Sequence, residues 1–223
     1  MKVEAVFFDL FETLITEFAN GTRISNRNYN YSELLGMTND EFKIEWNNRQ
    51  AMRMNGQYGS HRDVIQDIVF SRKLDVRKEA IDYLVQERIN EKKIPFDRIH
   101  EGILDMLRNI KNRNIKIGLI SNCSEEEVRA WSDSGLADFF DDRIFSYEVN
   151  CSKPDRKIYD LACERLKVRS AASIFVGDGG SNELAGASQA GLKVYHAKWF
   201  NAYIKSEYTE LNDPGELLKE LDE

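Results

Sequence analysis

Short apolar runs, each ending in a polar residue capable of chemistry, recur along this chain with helical stretches between them. That alternation constrains the fold more than any other feature. Val3 to Phe8 runs into Asp9, Ile115 to Ile120 ends at Ser121-Asn122, and Ser173 to Val176 ends at Gly177-Asp178. Arg143 to Tyr147 reads as a weaker strand, and Lys193 to Ala197 as the last clear one. Between them, Ile103, Met106, Leu107 and Ile110 fall at helical spacing, as do Ile158 to Leu166. Leu184 to Ala190 is a small-residue helix closed by Gly191, and Asp213 to Leu221 a short terminal helix. Glu125 to Trp131 reads as helical, with Glu125-Glu126-Glu127 as a solvated first turn complementing the helix dipole. Strands alternating with helices pair in parallel through right-handed crossovers. The expected fold is therefore α/β, with a doubly wound parallel-sheet (Rossmann-like) core.

One stretch breaks the alternation. Ile15 to about Asn30 is polar and irregular and reads as a linker. From Ser32 to Asn90 the pattern is helical throughout: Leu34, Leu35, Met37, Phe42 and Trp46, then Val64, Ile65, Ile68 and Val69, then Ile81, Leu84, Val85 and Ile89. Asn39-Asp40-Glu41 and Ser60 to Asp63 are helix starts. The expected organisation is a core of residues 1–16 and 95–223 and an inserted all-helical cap domain, residues 17–94.

Bulk properties exclude several functions. A net charge of −7 with no basic stripe argues against a nucleic-acid binder. No stretch reaches membrane-spanning length, and the N-terminal apolar run is too short and too acidic for a signal peptide. Cys123, Cys151 and Cys163 are scattered without CxxC spacing, so neither a disulfide framework nor a zinc site is expected and a cytoplasmic location is. The expected partner is a small, anionic substrate, and the protein a monomer or homodimer.

Asp9, Ser121 with Asn122, Lys153, and Asp178 with Glu183 all fall at strand ends or in nearby loops. A parallel sheet gathers such residues along one edge. Asp9 is thereby a candidate catalytic group, although an Asp after a strand is often only a helix cap or turn residue. Lys153 could equally be a surface lysine, and Asp178-Gly179 a turn pair. Asp9 through Leu14, Leu119-Ile120-Ser121-Asn122, Ser152-Lys153-Pro154-Asp155, and Val176 through Ala187 resemble, in order, the four motifs of the haloacid dehalogenase superfamily of hydrolases. The position of the inserted helices resembles the subclass whose cap follows the first motif. The resemblance implies Asp9 as nucleophile, with Ser121 and Lys153 as further catalytic groups. It implies Mg²⁺ held by Asp9, the Phe11 backbone carbonyl, Asp178 and Glu183. Thr13, Asn122 and the cap residues Arg49 and Arg53 become candidate substrate contacts, with Trp46 and Tyr58 as weaker ones. His61, His100 and His196 are dispersed, and none lies in a motif.

One position departs from the pattern. Phosphatases resembling this family carry a second Asp two residues after the nucleophile, as general acid and base. Here that residue is Phe11, with Glu12 beside it as a conceivable substitute. Dehalogenases of the superfamily lack that Asp, because a halide leaves without a proton, yet Gly177-Asp178 with Glu183 resembles the metal-binding form. The leading expectation is a Mg²⁺-dependent phosphatase of a small phosphorylated metabolite, acting through an aspartyl-phosphate intermediate. The alternatives are a dehalogenase-like hydrolase of 2-haloacids and a weakly catalytic binding or regulatory protein that keeps the fold.

Overall fold

The structure is a computed structural model that describes residues 2–25 and 28–222. Strand β1 (Ala5–Phe8) lies at the centre. After it, β2 (Phe18–Ala19) and β3 (Thr22–Arg23) pair antiparallel as a separate hairpin. Their turn, Asn20-Gly21, has positive φ at both residues (51° and 75°), the conformation of a tight hairpin turn that Asn-Gly favours. The expected linker therefore contains a hairpin, and the 17–94 segment is not all helical. Asn26 and Arg27, also in that linker, lie outside the described residues.

Five helices follow: α1 (Tyr31–Leu35), α2 (Asn39–Asn48), α3 (Gln50–Met54), α4 (His61–Ser71) and α5 (Lys78–Lys93). Thr38 opens α2 with a reciprocal capping box to Glu41, and the Ser60 hydroxyl accepts the Asp63 N–H to open α4. Leu35, Met37, Phe42, Val64, Ile65, Ile68, Ile81 and Leu84 bury one another in an apolar cluster of this segment's own. A short 3₁₀ turn, Ile94–Asp97, leads back to α6 (Glu101–Asn112).

The remaining elements are β4 (Lys116–Ser121), β5 (Asp142–Phe145), α7 (Ser146–Val149), α8 (Arg156–Leu166), β6 (Ser173–Gly177), α9 (Glu183–Gln189), β7 (Lys193–Ala197), β8 (Thr209–Leu211) and α10 (Pro214–Glu220). Among the described residues the main sheet has the order β5-β4-β1-β6-β7-β8, and every pairing is parallel. Alternate residues of β1 serve opposite faces, as strand geometry requires. Val6 and Phe8 pack with Ile103, Leu107 and Leu217 on the α6 and α10 side, and Ala5 and Phe7 with Ile158, Ala162 and Leu184 on the α8 and α9 side. The strand order reverses about β1, so the crevice beyond its C-terminal end is the place where this topology accepts ligands. β8 adds an edge strand too short to show alternation in the sequence.

The expected helix at 125–131 is instead a 3₁₀ turn, Glu125–Glu127, after which Ser132-Asp133-Ser134-Gly135 supplies turn-forming residues. The acidic run is also not solvated, since Glu126 and Glu127 are buried. The Glu127 carboxylate meets Arg88 Nη2 at 2.7 Å and Lys92 Nζ at 2.8 Å, and Lys92 also reaches Glu17 at 2.9 Å. Burial alone would raise the Glu127 pKa, but Lys92 and Arg88 beside it hold it well below the ordinary carboxylate range. This buried network ties α5 to the loop after β4.

Candidate active site

Asp9 follows β1 directly, and its N–H continues the ladder to the Val176 carbonyl at 2.9 Å. The side chain is buried at the sheet edge. The Thr13 hydroxyl donates to Asp9 Oδ2 at 3.3 Å, from a loop tied back by bonds from Leu14 and Ile15 N–H to the Leu10 carbonyl. Trp199 Nε1 donates to the Thr13 carbonyl at 2.7 Å and fixes the loop from the other side.

Lys153 is buried with its ammonium between Asp9 Oδ1 and Glu183 Oε2, the latter at 2.5 Å. Burial alone would lower the pKa of this ammonium. The adjacent Asp9 and Glu183 carboxylates more than reverse that and keep it charged. Asn122, expected to touch substrate, has its side-chain amide committed to the Lys153 backbone instead. Ser121, at the end of β4, is fully buried, and its hydroxyl has no hydrogen-bond partner. A buried donor without a partner is costly unless a ligand completes it.

Asp178 begins the loop after β6. Its Oδ1 accepts the Gly180 N–H at 2.9 Å and its Oδ2 the Asn201 amide at 2.8 Å. Glu183 opens α9, with Oε1 accepting the Gly179 N–H at 3.1 Å. A Cβ at residue 177 would lie 2.2 Å from Glu183 Oε1, so only glycine fits there. One oxygen from each of Asp9, Asp178 and Glu183 lies within 4.8 Å of the others. Burial first, then the Asp9 charge, pushes the Glu183 carboxyl up to about 8, against the pull of Lys153. Burial likewise raises Asp9, with Lys153 opposing and Asp178 adding to the rise. In their ionised form these three carboxylates carry more charge than the one ammonium beside Asp9 and Glu183 balances, and the all-oxygen donor set fits a hard divalent cation such as Mg²⁺.

The other expected residues lie around this centre. The Phe11 ring sits 4.7 Å from Lys92 Nζ, on the side that meets α5. Glu12 adopts positive φ (58°), and its carboxylate accepts the Thr16 hydroxyl at 2.6 Å and the Glu17 N–H at 2.8 Å. It anchors the base of the hairpin. Arg49 is spent inside the helical segment, on Asp67 (2.7 Å), Glu45 (2.5 Å) and Ser71 (2.9 Å), and Tyr58 donates to the same Asp67. Arg53 is buried over the Trp46 ring at 3.8 Å, and its Nε lacks a hydrogen-bond partner.

Sequence reasoning missed His196, whose Nε2 bonds the Asp178 carbonyl at 2.9 Å, and Asn201. His196 does lie at the end of the β7 apolar run, which was a usable signal. Asn201 lies in a loop with no pattern to mark it.

The family model for haloacid dehalogenase-like hydrolases matches residues 3–191. Pyrimidine 5′-nucleotidase YjjG of Escherichia coli (strain K12) is 26% identical over 220 residues, covering 93% of this chain and 90% of its own. A glyceraldehyde 3-phosphate phosphatase of Methanothermobacter thermautotrophicus is 26% identical over 215 residues, covering 93% of this chain and 88% of its own. Among solved structures, a 2-haloacid dehalogenase from Pseudomonas syringae pv. Tomato DC3000 superposes with a TM-score of 0.72 at 19% identity, covering 99% of this chain and 98% of its own, a likeness of fold. With a family model matching most of its length and a parallel-sheet fold like that of the solved structure, the chain belongs to the haloacid dehalogenase-like hydrolases.

Proposed function

We propose that the protein is a Mg²⁺-dependent phosphatase of a small, anionic phosphorylated molecule and works through an aspartyl-phosphate intermediate on Asp9. The observation that carries this reading is the cluster of Asp9, Asp178 and Glu183 around the single ammonium of Lys153. A divalent cation suits that charge imbalance, whereas halide displacement from a haloacid calls for no such acidic cluster. The nucleotidase and the phosphatase among the relatives agree with it.

Mg²⁺, held by Asp9 and Asp178 with the Phe11 carbonyl and Glu183 as further candidates, would supply charge neutralisation at the phosphoryl oxygens. The protein's own groups do the rest. Asp9 attacks phosphorus. The Lys153 ammonium neutralises charge on the transferring group and orients the nucleophile. The free Ser121 hydroxyl donates to a phosphoryl oxygen. The helical segment acts as a cap that keeps bulk water from the intermediate, and Arg53 is its one guanidinium among the expected contacts with an unused buried donor. All three cysteines are unpaired, which suits a reducing, cytoplasmic setting. Among the described residues, no helix is long and apolar enough to cross a membrane.

The test is phosphate release from a panel of phosphorylated metabolites with and without Mg²⁺. Mg²⁺-dependent release that is lost in Asp9→Asn supports the reading, and release no greater than in that variant overturns it. Phe11 favours a second reading, a dehalogenase, because it offers no proton to a leaving group. Metal-independent halide release from 2-haloacids would select it. A protein inert in both assays would instead be a binding or regulatory member of the family.

A further inference from the structure

Asp178 is held at all three of its oxygens, and two of the groups that hold it come from beyond its own loop. Oδ1 accepts the Gly180 N–H at 2.9 Å, and Oδ2 accepts the Asn201 amide at 2.8 Å. The main-chain carbonyl of Asp178 meets His196 Nε2 at 2.9 Å. His196 is fully buried, and the parallel register of β6 and β7 sets it beside Gly177, the residue before Asp178.

The direction of the His196 bonds follows from the groups themselves. A carbonyl only accepts, so His196 Nε2 carries the hydrogen and donates it. In that tautomer Nδ1 presents a lone pair, and Ser206 Oγ lies 2.8 Å from it. Ser206 Oγ already accepts the Tyr208 N–H at 3.4 Å, which leaves its own hydrogen for Nδ1. Hydrogen bonds therefore run one way, from Ser206 through His196 to the Asp178 carbonyl.

Ser206 and Asn201 lie in one loop, the stretch after β7. Lys198 Nζ donates to the Ile204 carbonyl at 2.9 Å and folds this loop on itself, and Trp199 ties it to Thr13. Gly179 shows how closely the loop lies against the backbone of the acidic cluster. Its φ is 90°, and a Cβ there would lie 3.0 Å from Ile204 Cγ2 and 3.5 Å from His196 Nε2.

We propose that His196, oriented by Ser206, is a positioning residue that sets Asp178 for Mg²⁺, an inference that rests on the reading of the cluster as a Mg²⁺ centre. Mg²⁺ tolerates little departure from octahedral geometry, so a carboxylate fixed before the ion arrives binds it better. The His196 bond holds the peptide that follows the Asp178 Cα, and the Asn201 bond holds the carboxylate. Neither His196 nor Ser206 touches the ion or the substrate in this role. They act through Asp178 alone.

The experiment titrates the substrate-free protein with MgCl₂ by calorimetry, each variant being checked for folding by circular dichroism. Partners that orient a metal ligand are commonly worth about 10- to 100-fold in affinity. His196→Leu, which fills the space without a donor, should weaken Mg²⁺ binding by that range. His196→Gln brings an amide N–H to the neighbourhood of Nε2 and should stay well above it, within about threefold of wild type. Ser206→Ala keeps the ring but frees its tautomer, and should weaken binding about three- to tenfold. Unchanged affinity in either His196→Leu or Ser206→Ala overturns the inference. So does a folded Gln variant as weak as the Leu variant, since packing and not the donated hydrogen bond would then be at work. With isotope-labelled histidine, long-range proton–nitrogen correlation spectra of the wild type should place the His196 hydrogen on Nε2 and leave Nδ1 bare. A hydrogen on Nδ1 overturns the relay. A wild-type protein that binds no Mg²⁺ overturns the metal reading, and this inference with it. Tight binding in the wild type that His196→Leu leaves intact overturns this inference alone.

Discussion

Asn122 grips the Lys153 backbone on both sides of its Cα: its Oδ1 accepts the Lys153 N–H at 2.8 Å and its Nδ2 donates to the Lys153 carbonyl at 2.9 Å. The residue after the serine of one strand end thus sets the backbone from which the ammonium reaches Asp9 and Glu183. Asn122→Ala leaves two backbone groups without partners, at about 1 kcal/mol or more each. A displacement of about 1 Å at a catalytic group can cost roughly 10² in rate. The expected outcome is a kcat lowered about 10- to 100-fold with a much smaller change in KM, and a lower thermal midpoint. A change confined to KM would show that Asn122 touches substrate instead.

The crowding of Asp9, Asp178 and Glu183 predicts stabilisation by Mg²⁺. A ligand that binds only the native state adds about 2.7 kcal/mol at a hundred times its Kd. The thermal midpoint of the wild-type protein should therefore rise with Mg²⁺ and fall back with a chelator. Asp178→Asn should abolish the shift. Scanning calorimetry without any substrate measures it, so the result stands whatever the reaction proves to be.

The strand ends were legible in the sequence because each is a short apolar run that stops at a polar residue, and a parallel sheet brings such ends together. The groups that hold them were not. Asn122 binds a residue 31 positions away, Asn201 one 23 away and His196 one 18 away, pairings that no local pattern encodes. Glu126 and Glu127 show the same limit from the other side. An acidic run after a serine has the local signature of an exposed helix start. Its partners Arg88 and Lys92 lie on a helix well before it in the chain, and only the packing of α5 on the β4 loop buries it. The Asn20-Gly21 turn, by contrast, carried a readable hairpin signal inside a stretch that otherwise reads as linker.

Glu12 offers a sharp test of where the proton goes. Were it the general acid, Glu12→Gln would lower kcat about 10²–10⁴-fold. Its carboxylate instead accepts from Thr16 and from the Glu17 N–H. Gln can keep the bond from Glu17 through its carbonyl and donate to the Thr16 hydroxyl, which itself contacts the Phe18 carbonyl. Glu12→Gln should therefore retain kcat within about threefold, an expectation set by that proton-transfer range. Glu12→Ala should loosen the hairpin, seen as faster proteolysis near Phe18. A large loss in the Gln variant would return Glu12 to the chemistry.

His61 gives the native protein a specific sensitivity to acid. It is buried at α4's start, 3.8 Å from Glu126, with Arg88, Glu127, Arg53 and Lys92 nearby. Burial first, then the Arg88 charge, pushes its imidazole down to about 3. In the unfolded chain a histidine takes its proton near pH ~6.5. Between these values the unfolded state binds a proton that the native state refuses, so stability falls as pH falls through that window. The slope approaches about 1.4 kcal/mol per pH unit. His61→Gln removes this contribution and leaves the carboxylate contributions in place. Urea unfolding at pH 7, 5.5 and 4.5 should show stability declining less steeply in the variant, by about 1 kcal/mol per unit below pH ~5.5. Parallel declines would mean that native His61 takes up its proton as readily as the unfolded chain does, and that the Glu126 carboxylate, not the neighbouring cations, sets its charge.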